Sequence, residues 1–216
     1  MYAFAYEKPT TLADVLQKIG AGGQPLAGGQ TLIASLKQRL AQPETLVDLS
    51  GLAELTGIRR EGSAVVIGAM TRHEAVAGSA DVQQAIPALA ALAGGIGDRQ
   101  VRAMGTMGGS VANNDPAADY PAAVLGLGAT VQTNRRQIAA DDFFQSMYAT
   151  ALEAGEIITA ISFPVPTKAG YAKFRQPASR FALVGVFVAQ TADGVRIAIT
   201  GAGNGVFRHA GLEAAL

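Results

Sequence analysis

The segment from Arg102 to Tyr120 restricts what this chain can fold into more than any other stretch. It reads Arg-Ala-Met-Gly-Thr-Met-Gly-Gly-Ser-Val-Ala-Asn-Asn-Asp-Pro-Ala-Ala-Asp-Tyr. Gly105, Gly108 and Gly109 leave part of its backbone without side chains. That permits positive φ and lets another group come close to the main chain. Thr106 and Ser110 set hydroxyls beside those glycines, and Asn113, Asn114, Asp115 and Asp119 follow. Small residues, free N–H groups and a few fixed polar side chains suit a loop that wraps a phosphate-bearing ligand. An ordinary glycine-rich connection between two elements fits the same residues.

A second glycine pair changes the balance. Pro25-Leu26-Ala27 reads as a short buried strand that runs into Gly28-Gly29-Gln30-Thr31-Leu32. The spacing of Leu32, Ile33, Leu36 and Leu40 predicts a helix beyond it. Strand, glycine pair, hydroxyl and helix place backbone N–H groups where an anion is favoured. Neither loop is a G-x-x-x-x-G-K-[ST] or a G-x-G-x-x-G motif. Gly201-Ala202-Gly203-Asn204-Gly205 has the wrong spacing for a dinucleotide fingerprint, and too little chain follows it for a βαβ unit, so it reads as a turn. Two separate glycine turns, each beside a hydroxyl, can hold a pyrophosphate from two sides.

Composition narrows the function. The 216 residues are 49% hydrophobic and only 16% charged, so a well-buried interior is available. Seventeen basic residues balance seventeen acidic ones, which leaves no basic field for nucleic acid. Cysteine is absent, which excludes disulfides, thiolate metal sites and a protein-ligated iron–sulfur cluster. Redox chemistry would have to come from a bound organic cofactor. His73 and His209 stand far apart and near no carboxylate pair, as surface or supporting residues rather than metal ligands or a catalytic base. No apolar run is long enough to span a membrane and the first residues lack a signal-peptide pattern, so a cytoplasmic location is expected.

Along the chain, residues 1–55 read as a small β-α-β unit. A hairpin around Glu61-Gly62 opens a second region, 56–166, with helices expected near 72–77, 85–93 and 121–127 and strands at 130–133 and 156–163. Arg135-Arg136 reads as a solvated hairpin tip. Pro164 to Ala169 is the best candidate linker. A third region, 170–216, holds an apolar run from Phe181, an alternating strand at 195–200 and a final helical segment.

The two loops together resemble a known family. Ala27-Gly28-Gly29-Gln30-Thr31-Leu32, followed by Thr106-Met107-Gly108-Gly109-Ser110-Val111-Ala112 and Asp115-Pro116-Ala117-Ala118-Asp119, looks like the FAD-binding medium subunit of molybdenum hydroxylases of the carbon monoxide dehydrogenase and xanthine dehydrogenase type. Ile67-Gly68-Ala69-Met70-Thr71, Gly155-Glu156-Ile157-Ile158 and Lys173-Phe174-Arg175 match as well. The resemblance implies an α/β (α+β) FAD-binding domain of two subdomains and a partial α+β C-terminal domain that looks truncated.

The resemblance also implies roles. Ala27, Gly28, Gly29, Gln30, Thr31 and Leu32 would wrap the FAD pyrophosphate. Thr106, Gly108, Gly109 and Ser110 would complete the cradle, with Asn113 as a further polar contact. Asp119 would bond the ribityl or ribose region, and Ile158 would pack on the adenine part. Lys173 or Arg175, with Lys173 preferred, would reach the flavin. Relatives often carry histidine then serine where this chain has Gln30-Thr31. No catalytic side chain and no metal site are expected here. The implied function is electron transfer from [2Fe–2S] clusters on a small subunit, through FAD, to an external acceptor. Oxidation of the substrate would occur at a molybdenum–pterin centre on a large subunit, in a dimer of heterotrimers. A stand-alone oxidoreductase of the vanillyl-alcohol-oxidase-like fold, or an assembly subunit without FAD, are the rival readings.

Overall fold

The computed structural model describes residues 1–216 and contains three main sheets. The first is parallel. Strands β1 (Ala5–Glu7) and β2 (Gln24–Leu26) flank β3 (Thr45–Asp48), with helices α1 (Leu12–Gly20) and α2 (Leu32–Lys37) in the crossovers. Helix α1 forms as its pattern predicts. The Thr11 hydroxyl accepts from the Asp14 N–H at 3.2 Å, and Val15 and Ile19 are buried. Helix α2 is shorter than its apolar spacing predicts, ending at Lys37.

The second sheet is antiparallel. Its hairpin β4 (Ile58–Glu61) and β5 (Ala64–Gly68) turns at Glu61-Gly62 as expected, with Gly62 at φ 56. Six short helices follow: α3 (His73–Gly78), α4 (Ala80–Ala85), α5 (Pro87–Gly94), α6 (Arg99–Met104), α7 (Met107–Asn113) and α8 (Tyr120–Gly126). Then come β6 (Thr130–Thr133), β7 (Gln137–Ala139), α9 (Ala140–Phe143), a small hairpin β8 (Phe144–Ser146) and β9 (Ala149–Thr150), and the long β10 (Ile158–Pro164). The strand order is β4-β5-β10-β6-β7. Val65, Ile67, Val131, Ile161 and Phe163 are buried in one core cluster with residues of α5, α7 and α8.

One expectation fails here. The glycine stretch is not an open loop, because Met107–Asn113 is helical. Two glycines in its seven residues oppose a helix by roughly 1 kcal/mol each in propensity. Packing overrides that cost. A Cβ on Gly108 would sit 2.5 Å from the Ala69 side chain and 2.8 Å from its carbonyl, so only glycine lets α7 lie on the end of β5. The Thr106 hydroxyl caps the helix by accepting from the Gly109 N–H, and Asn114 ends it at φ 46. Helices α4 and α6 carry no clear apolar period and were not expected.

The third sheet is a meander of β11 (Lys168–Arg175), β12 (Ala182–Thr191), β13 (Gly194–Thr200) and β14 (Phe207–Arg208), followed by α10 (Ala210–Glu213). It shares the main core, for Phe187, Ala189 and Ala198 are buried in the same cluster as α8. Polar contacts pin the same seam. Arg196 donates to the Leu125 carbonyl and to Asp141, and the Thr200 hydroxyl donates to the Pro116 and Ala118 carbonyls at 2.8 Å. Truncating the wholly buried Phe187 to alanine leaves a cavity against α8. Chemical denaturation is expected to show a loss of about 3–5 kcal/mol, with the third sheet melting before the rest.

Candidate FAD-binding site

The two glycine loops meet. A Cβ on Gly28 would overlap the Met104 carbonyl oxygen and press on the Gly105 Cα, so the backbones touch directly. One on Gly109 would lie 3.3 Å from the Ala27 Cβ. Between and around them opens a cavity of about 630 Å³, well inside the ~300–1,000 Å³ usual for ligand clefts. Ala27, Gly28, Gly29, Gln30, Thr31 and Leu32 form one wall. Thr106, Gly108, Gly109, Ser110 and Asn113 form the facing wall, and Asp119 and Ile158 line it as well.

The two jaws are not equivalent. In the first, the N–H groups of Gly29, Gln30, Thr31 and Leu32 donate to no protein acceptor, and Thr31 provides no side-chain cap for α2. Gly29 is at φ 72, a conformation open to glycine at no steric cost. Four successive unpaired donors along one wall make a cradle for an anion. In the second jaw the amides are already used. Met107 donates to the Thr71 carbonyl, Gly108 to the Ala69 carbonyl, Gly109 to the Thr106 hydroxyl and Ser110 to the Thr106 carbonyl. The expectation of free N–H groups along this stretch is therefore corrected. Once the segment is helical and packed on Ala69 and Thr71, it offers a smooth glycine face and the Ser110 hydroxyl.

Lys173 stands behind the wall. Its ammonium is 2.8 Å from the Asp119 carboxylate and also donates to the Gly95 carbonyl, while the Tyr171 hydroxyl donates to Asp119 at 2.6 Å. Lys173 and Asp119 are each about 95% buried. Burial pushes the Asp119 carboxyl above its ordinary range even though Lys173 and Tyr171 pull it back. Burial, and then the Asp119 charge and hydrogen bond, raise the Tyr171 phenol. Arg175 is exposed, with its guanidinium near Gly95.

Several wall residues were not foreseen. His73, read as a surface or supporting residue, is 4% exposed beside Gly105 and lines the cavity. Burial, with Arg102 nearby, pulls its imidazole down to about 4, so it is neutral at pH 7. Ile96, Tyr148 and Phe181 also reach the cavity. No sequence signal marks them, because each arrives from a different element. The Arg135-Arg136 pair is more than a solvated tip. Arg136 makes a two-pronged bond at 3.0 Å to Glu156, whose side chain is fully buried on the cavity wall. Glu156 also accepts from the Thr133 hydroxyl and the Glu153 N–H. Asn134 accepts from the Ile157 N–H at 2.8 Å. The β6–β7 turn thus grips the segment that presents Ile157 and Ile158.

This architecture, a glycine-jawed cavity between a parallel β-α-β unit and an antiparallel sheet with helices, is that of a flavin-binding domain. The model of the family described as "FAD binding domain in molybdopterin dehydrogenase" matches residues 2–166, and the chain belongs to that family. It is 43% identical over 202 residues to the carbon monoxide dehydrogenase medium chain of Afipia carboxidovorans, covering 89% of this chain and 70% of that one. It is 35% identical over 212 residues to the nicotine 6-hydroxylase medium subunit of Paenarthrobacter nicotinovorans, covering 93% and 75%. The structure of reconstituted CO dehydrogenase from Oligotropha carboxidovorans superposes with a TM-score of 0.93 at 36% identity, over all of this chain and 80% of that one. The glycine face and the unpaired amides fit FAD's need for close approach and for donors at its phosphates.

Chiefly through the Arg136 hydrogen bonds, the Glu156 carboxyl is held down at about 2. A depressed carboxylate stabilises the fold above its unfolded value near 4.5 and loses that contribution as pH falls through about 2. Glu156→Gln is expected to be less stable than the parent by about 2 kcal/mol at pH 7. The gap should close between pH 4.5 and 2 in urea titrations run at each pH.

Proposed function

We propose that this chain is the electron-relaying flavin subunit of a molybdenum-dependent hydroxylase or dehydrogenase. Electrons arrive from [2Fe–2S] clusters on a small partner subunit and leave through FAD to an external acceptor. The organic or gaseous substrate is oxidised at a molybdenum–pterin centre on a large partner subunit, within a dimer of heterotrimers. The observation that carries the FAD part is the run of four unpartnered amides from Gly29 to Leu32 facing the glycine side of α7. Family membership and a sequence without cysteine support the relay. Relatives named for carbon monoxide and nicotine differ in substrate, consistent with a substrate pocket on another subunit.

When bound, FAD supplies the redox chemistry by taking up and releasing electrons one or two at a time. The chain's own residues hold and orient it. The Gly29–Leu32 amides hold the pyrophosphate, and Gly108 and Gly109 let it approach α7, with Thr106, Ser110 and Asn113 as polar neighbours. Gly28 keeps the jaws in contact, Ala27 packs across the seam, and Ile158 packs on the adenine part. Asp119 takes hydroxyls of the sugar region, and Lys173, behind the wall, holds its carboxylate in place. No side chain acts as nucleophile or general base. The division into 1–55, 56–166 and 170–216 then corresponds to two FAD-binding subdomains and a C-terminal domain.

Reconstitution with FAD is expected to give a protein-bound flavin spectrum at one flavin per chain, and no bound flavin would sink the proposal. Co-purification of the native complex without a molybdenum subunit and a two-cluster subunit would sink the relay. In Gly109→Val the new Cβ lies 2.8 Å from the Thr106 hydroxyl and crowds the seam. It is expected to lose FAD binding by at least about a hundredfold while circular dichroism stays that of the parent.

A further inference from the structure

We propose that Asp115 and Tyr148 form a hydroxyl-reading pair that binds a sugar diol of the dinucleotide, a role that rests on the FAD reading above. Asp115 lies on the cavity wall and is half-buried. No Lys or Arg lies within ion-pairing distance of it, unlike Asp119 with its lysine. One of its oxygens accepts from the Ala117 N–H at 2.9 Å. The other meets only the Tyr148 hydroxyl at 3.3 Å, longer than an ordinary O–H···O bond of ~2.7–2.8 Å. A wall carboxylate without a cation would repel a phosphate. It can accept from a hydroxyl instead, as an acidic side chain does with a ribose in dinucleotide folds. Within the cavity it therefore belongs to a sugar section and not to the pyrophosphate.

Tyr148 is held in place against its own backbone preference. It sits at φ 55, a left-handed conformation that is strained for a bulky side chain. Its N–H donates to the Asn114 carbonyl at 3.2 Å. The Asn114 amide is 1% exposed and donates to the carbonyls on either side of the turn, Ser146 and Ala149, at 2.8 Å each. The end of α7 thus clamps the β8–β9 turn so that Tyr148 stands on the cavity wall while remaining 58% exposed. Strain that neighbours over-determine at a ligand cleft marks a placement kept for contact.

Calorimetric titration of the full chain with FAD tests the pair. Asp115→Asn keeps an oxygen for the Ala117 N–H but loses the charge, and is expected to weaken FAD roughly tenfold to a hundredfold. Tyr148→Phe is expected to weaken it about fivefold. Tyr148→Gly relieves the backbone, so it should bind FAD more weakly while the FAD-free chain melts no lower than the parent. ADP carries only the ribose and FMN only the ribityl chain. Selective weakening of one of these probes by Asp115→Asn names the diol, and either choice supports the pair. Tighter FAD binding by Asp115→Asn would place the carboxylate at the phosphates and overturn the proposal. Affinities within twofold of the parent for both Asp115→Asn and Tyr148→Phe would overturn it too. A parent that takes up no FAD would remove the flavin reading itself, and the pair with it.

Discussion

The contact of two backbones, Gly28 against Met104 and Gly105, sets the rest of the arrangement. No side chain fits between them. That contact brings the parallel β-α-β unit to the antiparallel sheet and fixes the gap in which a flat, two-phosphate ligand can lie. Gly105 in turn rests on the His73 ring, where a Cβ would lie 2.5 Å from Nε2. The layers from the first loop through the second to α3 are thus spaced by glycine twice. Crowding either layer moves both walls of the cavity, because interiors packed this closely transmit displacement rather than absorb it.

Charge is arranged around this seam with economy. The walls near the unpaired amides are small and neutral, and a neutral His73 adds no competing charge there at pH 7. The buried Asp119–Lys173 pair joins the start of α8 to the third sheet. A buried ion pair contributes little net stability after desolvation, but removing one partner strands the other. Its consequence here is positional. It ties β11 to the N-terminus of α8, so the third sheet is held at the cavity through a carboxylate that lines it. Arg136 and Glu156 do the same for the wall around Ile157 and Ile158.

The legible part of the fold was the part set by local pattern. The β-α-β opening, the Glu61-Gly62 hairpin and the alternating strand near Val195–Thr200 follow from periodicity and turn chemistry. The glycine pairs announced a close approach, and the walls carry nearly all of the residues that the family resemblance implied. What was not legible depended on contacts across long stretches of chain. Met107–Asn113 is helical only because Ala69 and Thr71 receive it, and propensity alone argues for a loop. Tyr148 reaches Asp115 across 33 positions, and Arg136 finds Glu156 across 20. Lys173 was legible only as a basic residue expected to reach the flavin, and it stands behind the cavity wall. Its engagement by Asp119 needed the register of β11 against β12.

The central claim is that the first jaw supplies the donors and the second supplies the surface. Amide hydrogen exchange, with and without FAD, reads this directly. Gly29, Gln30, Thr31 and Leu32 should exchange fast in the free chain and become protected when FAD is added. Met107, Gly108, Gly109 and Ser110, whose amides already have partners, should be protected in both states. New protection confined to Met107–Ser110, with Gly29–Leu32 unchanged in a chain that holds FAD, would contradict the account.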